Sequence, residues 1–306
     1  MNRIVWLLFL SCVGCSVTSA TTRPAELGPV VSMEVMEASL ATPGPIRLEK
    51  VVAADWAVER GGLINLDHPE AEGLEDGEEP IQIYLYVLHH PERGAFFVDS
   101  GVEQALVDGD ADDSALSSMV ASFMGMEKLV VHRDTRAWIA DNGAPAGVFL
   151  THLHIDHIMG LPDVPDGTPV YVGPGEHEAS MFSYMFVQGT TDRALEGLDL
   201  RELEVAPRAV VDVFGDGSLF AIHVPGHTPG SLAFVARTTD GPALIVGDTS
   251  HTAWGWDHGV EPGSFTADHE ANAESLRGLI GLAKRHPGMA VHLGHQVVAE
   301  SVAVAR

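Results

Sequence analysis

The segment that decides the fold is THLHIDH, residues 151–157, which places three histidines and one aspartate directly after a short apolar run. The apolar run predicts a buried strand, so these side chains lie on a loop that leads from the strand into a helix. Alternate residues of an extended chain share a face, so His152 and His154 point to one side. Asp156 and His157 aim elsewhere once the chain turns into the helix. One short segment can therefore serve two adjacent metal ions.

Three further segments carry a ligand-type residue after an apolar run. His227 lies in the tight turn VPGHTPG, Asp248 follows the run LIVG, and His295 follows the run MAVHLG. Because each residue comes after a predicted strand, these side chains should gather at one edge of the sheets. A single histidine among the 16 in the chain is more often a surface or hydrogen-bonded residue, but a cluster of this density predicts a metal site.

The remaining pattern predicts an α/β sandwich, in which helices cover sheets. Residues 81–88 and 95–99 predict a hairpin, because both runs are β-branched or aromatic and a Pro/Gly-containing turn separates them. The clearest helix has apolar residues at 276, 279, 280 and 283 and ends before Pro287. Further helices are predicted over residues 113–124, 135–141 and 176–186.

These motifs resemble the metallo-β-lactamase superfamily in their order and spacing, from about Ile81 to Gln296. The resemblance rests on T-H-x-H-x-D-H, on P-G-H-T-P-G, on G-D after a strand and on the late G-H. The turn VDSG around Asp99 also resembles the early D-x-G turn of that family. The resemblance implies a four-layer αβ/βα sandwich. It also implies one metal held by His152, His154 and His227, a second held by Asp156, His157 and His295, and Asp248 bridging the two.

The chemistry expected of such a site is metal-assisted hydrolysis. Two divalent ions, with zinc expected first and iron, cobalt or manganese as alternatives, can share a water and lower its pKa towards about 7. The resulting hydroxide is the expected nucleophile, and Asp156 can carry a proton to the leaving group. Lactonases of this family often have Tyr three residues after the bridging aspartate, where this chain has His251. His251 is either a hydrogen-bond donor in that role or a surface residue.

Within the superfamily, the details favour an N-acyl homoserine lactonase or a related esterase. A bridging Asp248 and the lack of a Cys ligand argue against a β-lactamase, and only 296–306 follow His295, which weakens a glyoxalase II-like thioesterase. A phosphotriesterase remains an alternative. Retention of seven ligands argues against a mononuclear iron enzyme like persulfide dioxygenase and against a non-catalytic surface lipoprotein.

The expected partner is a small molecule with an apolar acyl part. Five residues between Gly175 and Leu200 can form an apolar wall for the acyl chain, although an amphipathic helix packed on the core explains them equally well. Trp254 and Trp256 either rim the pocket or pack in a loop. The residues of the candidate wall are Met181, Phe182, Tyr184, Met185 and Phe186.

The net charge and the N-terminal sequence indicate which partners and which cellular location to expect. The formal charge of −26 disfavours nucleic acid as a partner. Arg3 and the apolar run 4–10 predict a signal peptide, and VGCS around Cys15 resembles a lipoprotein processing site, although cleavage near Ala20 is an alternative. We therefore expect a signal peptide over 1–15, a linker over 16–30 and a hydrolase domain over 31–306. The protein should be exported to the bacterial periplasm or outer membrane, with membrane contact only through the lipid anchor.

Overall fold

A computed structural model of the chain describes residues 16–109, 114–180 and 184–298. Within these ranges, β-branched and aromatic runs form strands, as their packing on a pleated surface favours. The strands are β1 (Arg23–Pro24), β2 (Val30–Val31), β3 (Arg47–Glu59), β4 (Glu78–His90), β5 (Gly94–Val98), β6 (Val130–Val131), β7 (Gly147–Phe149), β8 (Pro169–Val172), β9 (Asp199–Glu202), β10 (Val210–Asp212), β11 (Leu219–His223), β12 (Leu232–Thr238), β13 (Gly241–Ile245) and β14 (Ala290–His292).

Helices fill the connections between these strands. They are α1 (Met33–Ser39), α2 (Arg60–Leu63), α3 (Gln104–Asp108), α4 (Ser118–Met124), α5 (Thr135–Asn142), α6 (Ile155–Ile158), α7 (Tyr184–Ala194), α8 (Ala253–His258) and α9 (His269–Arg285). No helix among the described residues has the length and apolar character that crossing a membrane requires.

The strands form two sheets that pack face to face. One has the order β1-β9-β8-β7-β5-β4-β3-β6 and the other the order β14-β13-β12-β11-β10-β2. Phe149 and Phe234 belong to the apolar cluster between the sheets, with ring centroids 5.8 Å apart. Trp138 of α5 packs on the other face of the first sheet, and Leu276 and Leu279 of α9 pack on the other face of the second. The layers therefore run helix, sheet, sheet, helix, as the family resemblance implied.

The strand ends that carry the predicted ligands meet at one edge of this sandwich. The backbone N–H of Leu232 donates to the carbonyl of Thr151 at 2.8 Å, which joins the second sheet to the segment after β7. Strands β13 and β14 are parallel, so Asp248 and His295 follow them at the same end. Strands β5 and β7 are also parallel, which brings Asp99 beside the segment after β7.

Residues 16–30, predicted as a linker, pack on the domain in the structure. Val17 is 1% exposed, and the Thr18 hydroxyl donates to Asp192 of α7 at 2.6 Å. Strand β1 pairs with β9, and β2 pairs with β10. The hydroxyls of Thr18 and Ser19 both donate to Asp192, so the start of this segment is a packed extension of the domain. The predicted signal peptide, residues 1–15, lies outside the described residues.

Two predicted helices differ from the structure in their first residues. The hairpin of β4 and β5, helix α5 and helix α9 confirm their predictions. Of the helix predicted over 176–186, residues 176–180 are not helical, residues 184–186 belong to α7, and residues 181–183 lie outside the described residues. The helix predicted over 113–124 begins at Ser118, where Ser117 caps it, and Asp113 lies outside the described residues.

Candidate metal centre

Glycines let the ligand-bearing segments approach one another closely. Gly226, which precedes His227, has a φ of 142°, and a Cβ there would lie 2.2 Å from the backbone nitrogen of Asn272. A Cβ on Gly294, which precedes His295, would lie 2.1 Å from Oδ1 of Asp248. Only glycine fits such close approaches. The glycine before each histidine therefore lets the segment of His227 lie directly against Asn272 and the segment of His295 directly against Asp248.

Four of the predicted ligands form one group, here called the first subsite: His152, His154, His227 and Asp248. Their ligand atoms lie within 4.8 Å of one another. Nε2 of His227 is 2.9 Å from Nδ1 of His154 and 3.5 Å from Oδ2 of Asp248. Nε2 of His152 is 3.6 Å from the same Asp248 oxygen. Three imidazole nitrogens and one carboxylate oxygen therefore converge on one point.

The other predicted ligands form the second subsite: Asp156, His157, His295 and, again, Asp248. Nε2 of His157 lies 3.1 Å from Oδ2 of Asp248. Nε2 of His295 lies 3.2 Å from Oδ2 of Asp156 and 3.3 Å from Asp248. All seven predicted ligands are thus brought together, and the Asp248 carboxylate is common to both subsites.

The donor set fits divalent metal ions. Nε2 of His152 is buried and has no hydrogen-bond partner among the described residues. Leaving such an atom unpaired costs about 1–3 kcal/mol, and a bound cation would satisfy it. Imidazole and carboxylate donors without thiolate suit zinc and the neighbouring first-row metals. The site therefore has the composition and the unmet polar atom that a metal centre requires.

Burial sets the protonation of the imidazoles. It lowers the pKa of His152 and His227 well below their usual range and that of His154 to about 4. Burial also opposes charge on His295, but the nearby carboxylates outweigh it and raise its pKa to about 10. Burial alone would raise the pKa of Asp248, yet the surrounding imidazoles hold it well below its usual range. The first subsite thus presents neutral imidazoles, the form that binds metals.

Asp99 orients the second subsite. Its Oδ2 lies 2.8 Å from Nδ1 of His157, and its Oδ1 accepts the backbone N–H of Thr151 at 2.8 Å. Histidines that bind metals commonly pair their other ring nitrogen with a carboxylate, which fixes the tautomer and the ring orientation. The sequence singled out Asp99 only as part of a turn. The structure shows the contact of its side chain with a predicted ligand.

Sequence reasoning missed Asn272, which joins two ligand segments. Its Oδ1 accepts the backbone N–H of His227 at 3.0 Å, and its Nδ2 donates to the carbonyl of Thr249 at 3.1 Å. Asn272 is fully buried on α9. The sequence did contain a signal for this residue: Asn272 is polar but lies four positions before Leu276, on the apolar face of the helix.

His251 is buried, not on the surface. Its exposed fraction is 2%, and its Nε2 lies 2.9 Å from Oδ2 of Asp248. Its ring stacks on that of His295 at an interplanar angle of 12° and lies 5.0 Å from that of His227. His251 therefore contacts the carboxylate that the two subsites share.

The residues predicted to contact the substrate differ in their exposure and in their place in the fold. Met185 and Phe186 lie on α7 and are 52% and 54% exposed, while Met181 and Phe182 lie outside the described residues. Tyr184 is the first residue of α7. Trp254 packs against the cluster that includes Ile155 of α6 and stacks on His258, whereas Trp256 is buried under the second sheet.

Comparisons with known proteins identify the family that the chain matches. The family model described as the metallo-beta-lactamase superfamily matches residues 132–295. The N-acyl homoserine lactonase AttM of Agrobacterium fabrum is 32% identical over 152 residues, which are 48% of this chain and 57% of that protein. The gamma-lactamase FDB1 of Fusarium pseudograminearum is 28% identical over 138 residues, which are 40% of this chain and 33% of that protein. The chain thus matches less than two thirds of either relative.

A solved structure shares the fold. It is an N-acyl homoserine lactone hydrolase with the product N-hexanoyl-L-homoserine bound at its catalytic metal center. The match covers 83% of this chain and 94% of that chain, with a TM-score of 0.59 and 17% sequence identity. At this identity the likeness shows the arrangement of sheets and helices and nothing finer.

Proposed function

Because the chain belongs to the metallo-beta-lactamase superfamily, we propose that it is a dinuclear metal hydrolase that opens lactone rings of the N-acyl homoserine lactone type. The observation that carries the proposal is the Asp248 carboxylate shared by two groups of ligand atoms. Support for a lactone comes from the named activity of the AttM relative. A related ester is the nearest alternative, because its carbonyl and leaving alcohol are the same chemical groups.

Two bound divalent ions, with zinc the first expectation, would polarise the lactone carbonyl and lower the pKa of a water they share to about 7, supplying hydroxide. The chain itself contributes alignment and proton transfer. Asp156 is the ligand best placed for proton transfer, because its side chain is 17% exposed while that of Asp248 is 2% exposed. We assign to Asp156 the transfer of a proton to the leaving alkoxide oxygen of the ring.

His251 is the second residue to which we assign a catalytic role. Its Nε2 lies 2.9 Å from Oδ2 of Asp248 and so faces the carboxylate that both subsites share. Its position between the rings of His227 and His295 also places an imidazole beside both subsites. We propose that His251 takes the place of the tyrosine donor found in related lactonases and stabilises negative charge on the substrate oxygen.

The surface charge suits a neutral substrate and an anionic product. A lactone carries no charge, so the chain's net charge of −26 does not oppose its entry. Ring opening produces a carboxylate, and the same field favours its departure. The exposed side chains of Met185 and Phe186 on α7 are proposed to contact the acyl chain.

Export with an N-terminal lipid anchor is a separate proposal. It rests on Arg3, the apolar run at 4–10 and the motif around Cys15. Metabolic labelling with a radioactive fatty acid in a bacterial host is expected to mark the wild-type chain and not Cys15→Ala. Equal labelling of both chains, or labelling of neither, would contradict the anchor.

The function is tested with a substrate panel on protein whose metal content has been measured. The panel contains homoserine lactones with short and long acyl chains, an aryl ester, a γ-lactam, a β-lactam and a phosphotriester, and acid release or absorbance is recorded. We expect lactones to give the highest kcat/KM and the His227→Ala variant to lose activity. The γ-lactam is included because the FDB1 relative is named a gamma-lactamase. Preference for the γ-lactam would overturn the assignment of substrate. Two bound ions with no hydrolysis of any compound would overturn the assignment of a hydrolase.

A further inference from the structure

Glu176 is a buried carboxylate that the proposed mechanism does not use. It is 1% exposed and follows the glycine-containing turn after β8. Its Oε1 accepts the backbone N–H of Leu153 at 2.8 Å. Its Oε2 accepts the hydroxyl of Thr228 at 2.6 Å and the backbone N–H of Gly230 at 3.0 Å. Among the described residues it forms no ion pair with a basic side chain.

These three donors belong to the two segments that carry the histidines of the first subsite. Leu153 lies between His152 and His154, while Thr228 and Gly230 lie in the turn that follows His227. Among the described residues, no hydrogen bond joins Glu176 to Asp156, His157 or His295 themselves. One carboxylate therefore ties together the backbone next to the three histidines of the first subsite.

The contacts suit an ionised carboxylate, although burial raises the pKa of Glu176 above its usual range. Burying a charged group is costly unless hydrogen bonds compensate it, and here every contact uses Glu176 as the acceptor. An amide in its place has one acceptor oxygen and one NH₂ group. Whichever way the amide turned, its NH₂ would face at least one backbone N–H, so one of the two segments would lose its tether.

Small movements of these segments matter because metal–ligand distances tolerate only about 0.2 Å of variation. A tether on the backbone beside His152, His154 and His227 controls whether three imidazole nitrogens meet at one point. Asp99 performs the corresponding task for the second subsite through Nδ1 of His157.

We propose that Glu176 is a positioning residue that sets the metal affinity of the first subsite and leaves the affinity of the second unchanged. The inference rests on the proposed metal centre but not on the choice of substrate. Loss of Glu176 should therefore appear in metal binding, whatever compound the enzyme hydrolyses.

The test compares Glu176→Gln with Glu103→Gln. Glu103 is also 1% exposed, and its side chain accepts hydrogen bonds from Ser114 and Ala115 but, among the described residues, from none of the predicted metal ligands. Zinc is titrated against a chelating dye with each full-length protein. We expect Glu176→Gln to bind one of two ions about 10–100-fold more weakly, the usual effect of removing an outer hydrogen-bond partner. Glu103→Gln should bind both ions with wild-type affinity.

Two double variants, in which Glu176→Gln is combined with His157→Ala or His227→Ala, identify the weakened subsite. His157→Ala leaves the first subsite intact, and there Glu176→Gln should weaken the remaining ion by the same factor. His227→Ala breaks the first subsite, and there Glu176→Gln should change nothing. Activity of Glu176→Gln should return towards the wild-type kcat as zinc is raised, which a general loss of packing would not permit.

Equal weakening of both ions, or wild-type affinity for both in a folded Glu176→Gln protein, would overturn the proposal. If Glu176→Gln does not fold, Thr228→Val removes one of the three donors and should weaken the same single ion to a smaller extent. An unchanged zinc titration of folded Thr228→Val would then count against the tether. Failure of lactone hydrolysis leaves all of these zinc titrations interpretable, so the two proposals can fail separately.

Discussion

Oδ2 of Asp99 lies 2.8 Å from Nδ1 of His157, and Asp99 holds this position with a backbone φ of 57°. The left-handed region costs a residue with a side chain about 1–2 kcal/mol. The hydrogen bonds from Thr151 to the same carboxylate help to offset that cost. The turn after β5 therefore places the Asp99 carboxylate against His157, a predicted metal ligand in the segment that follows the neighbouring parallel strand β7.

Replacement of Asp99 by Asn should weaken metal binding. The amide NH₂ would face either the N–H of Thr151 or the Nδ1–H that His157 carries when its Nε2 binds metal, so one hydrogen bond is lost. We expect metal affinity at the second subsite to fall about 10–100-fold, measured by zinc titration against a chelating dye. Unchanged affinity in a folded variant would show that the contact does not orient His157.

Removal of metal should lower thermal stability. Without ions, the buried nitrogens and carboxylates of the seven ligands lose their common partner. An ion present at about 1,000 times its Kd stabilises the folded state by about 4 kcal/mol. Calorimetry with and without a chelator should show a lower Tm for the stripped protein, and added zinc should restore it. A Tm that the chelator leaves unchanged would contradict a metal-supported site.

The sequence predicted the seven ligands because each of their segments follows a strand, and strand ends meet at an edge of the sandwich. It did not predict the partners that hold them. Glu176 and Asn272 resemble ordinary polar residues until the fold buries them against backbone N–H groups. Those contacts join residues 23 and 45 positions apart, which local patterns do not report.

His251 variants test the proposed charge stabilisation. His251→Phe removes the imidazole that contacts Asp248, and we expect kcat for lactone opening to fall about 10²-fold while two ions remain bound. His251→Gln keeps an N–H donor and should retain more of the rate. Steady-state kinetics on metal-quantified protein measure both effects. Wild-type kcat in His251→Phe would remove this residue from the mechanism.

His292 should make the fold sensitive to acid. Burial, helped by Lys50, lowers its pKa from 6.5 to about 4. Below pH 6.5 the unfolded chain therefore takes up a proton that the folded chain refuses, and stability is lost as the pH falls from about 6.5 to 4. The full effect is about 3 kcal/mol.

His292→Phe should remove this loss, because phenylalanine can keep the edge contact with Tyr86, whose ring lies 5.4 Å away. Urea unfolding of both proteins with a chelator present, at pH 7 and near pH 4.5, isolates the difference. As the pH falls, the free energy of unfolding should decrease less for the variant than for the wild type. A constant difference would contradict the assignment.

Strand β3 shows why local patterns failed elsewhere. Its register against β4 shifts between Val52 and Ala54, which breaks the alternation of apolar and polar residues. No strand is predicted from the sequence over Arg47–Glu59, which forms β3 in the structure. The helix predicted from 176 failed for a different reason, since Glu176 is held by the metal-ligand segments in a turn.

The proposed function depends on two metal ions that share Asp248 and support lactone opening. Zinc is added stepwise to metal-free protein, and ring opening of a homoserine lactone and bound metal are recorded together. We expect the rate to reach its maximum at two ions per chain, and Asp248→Asn to fail to reach it at any zinc concentration. A maximum at one ion per chain, or full activity of Asp248→Asn, would contradict a dinuclear hydrolase.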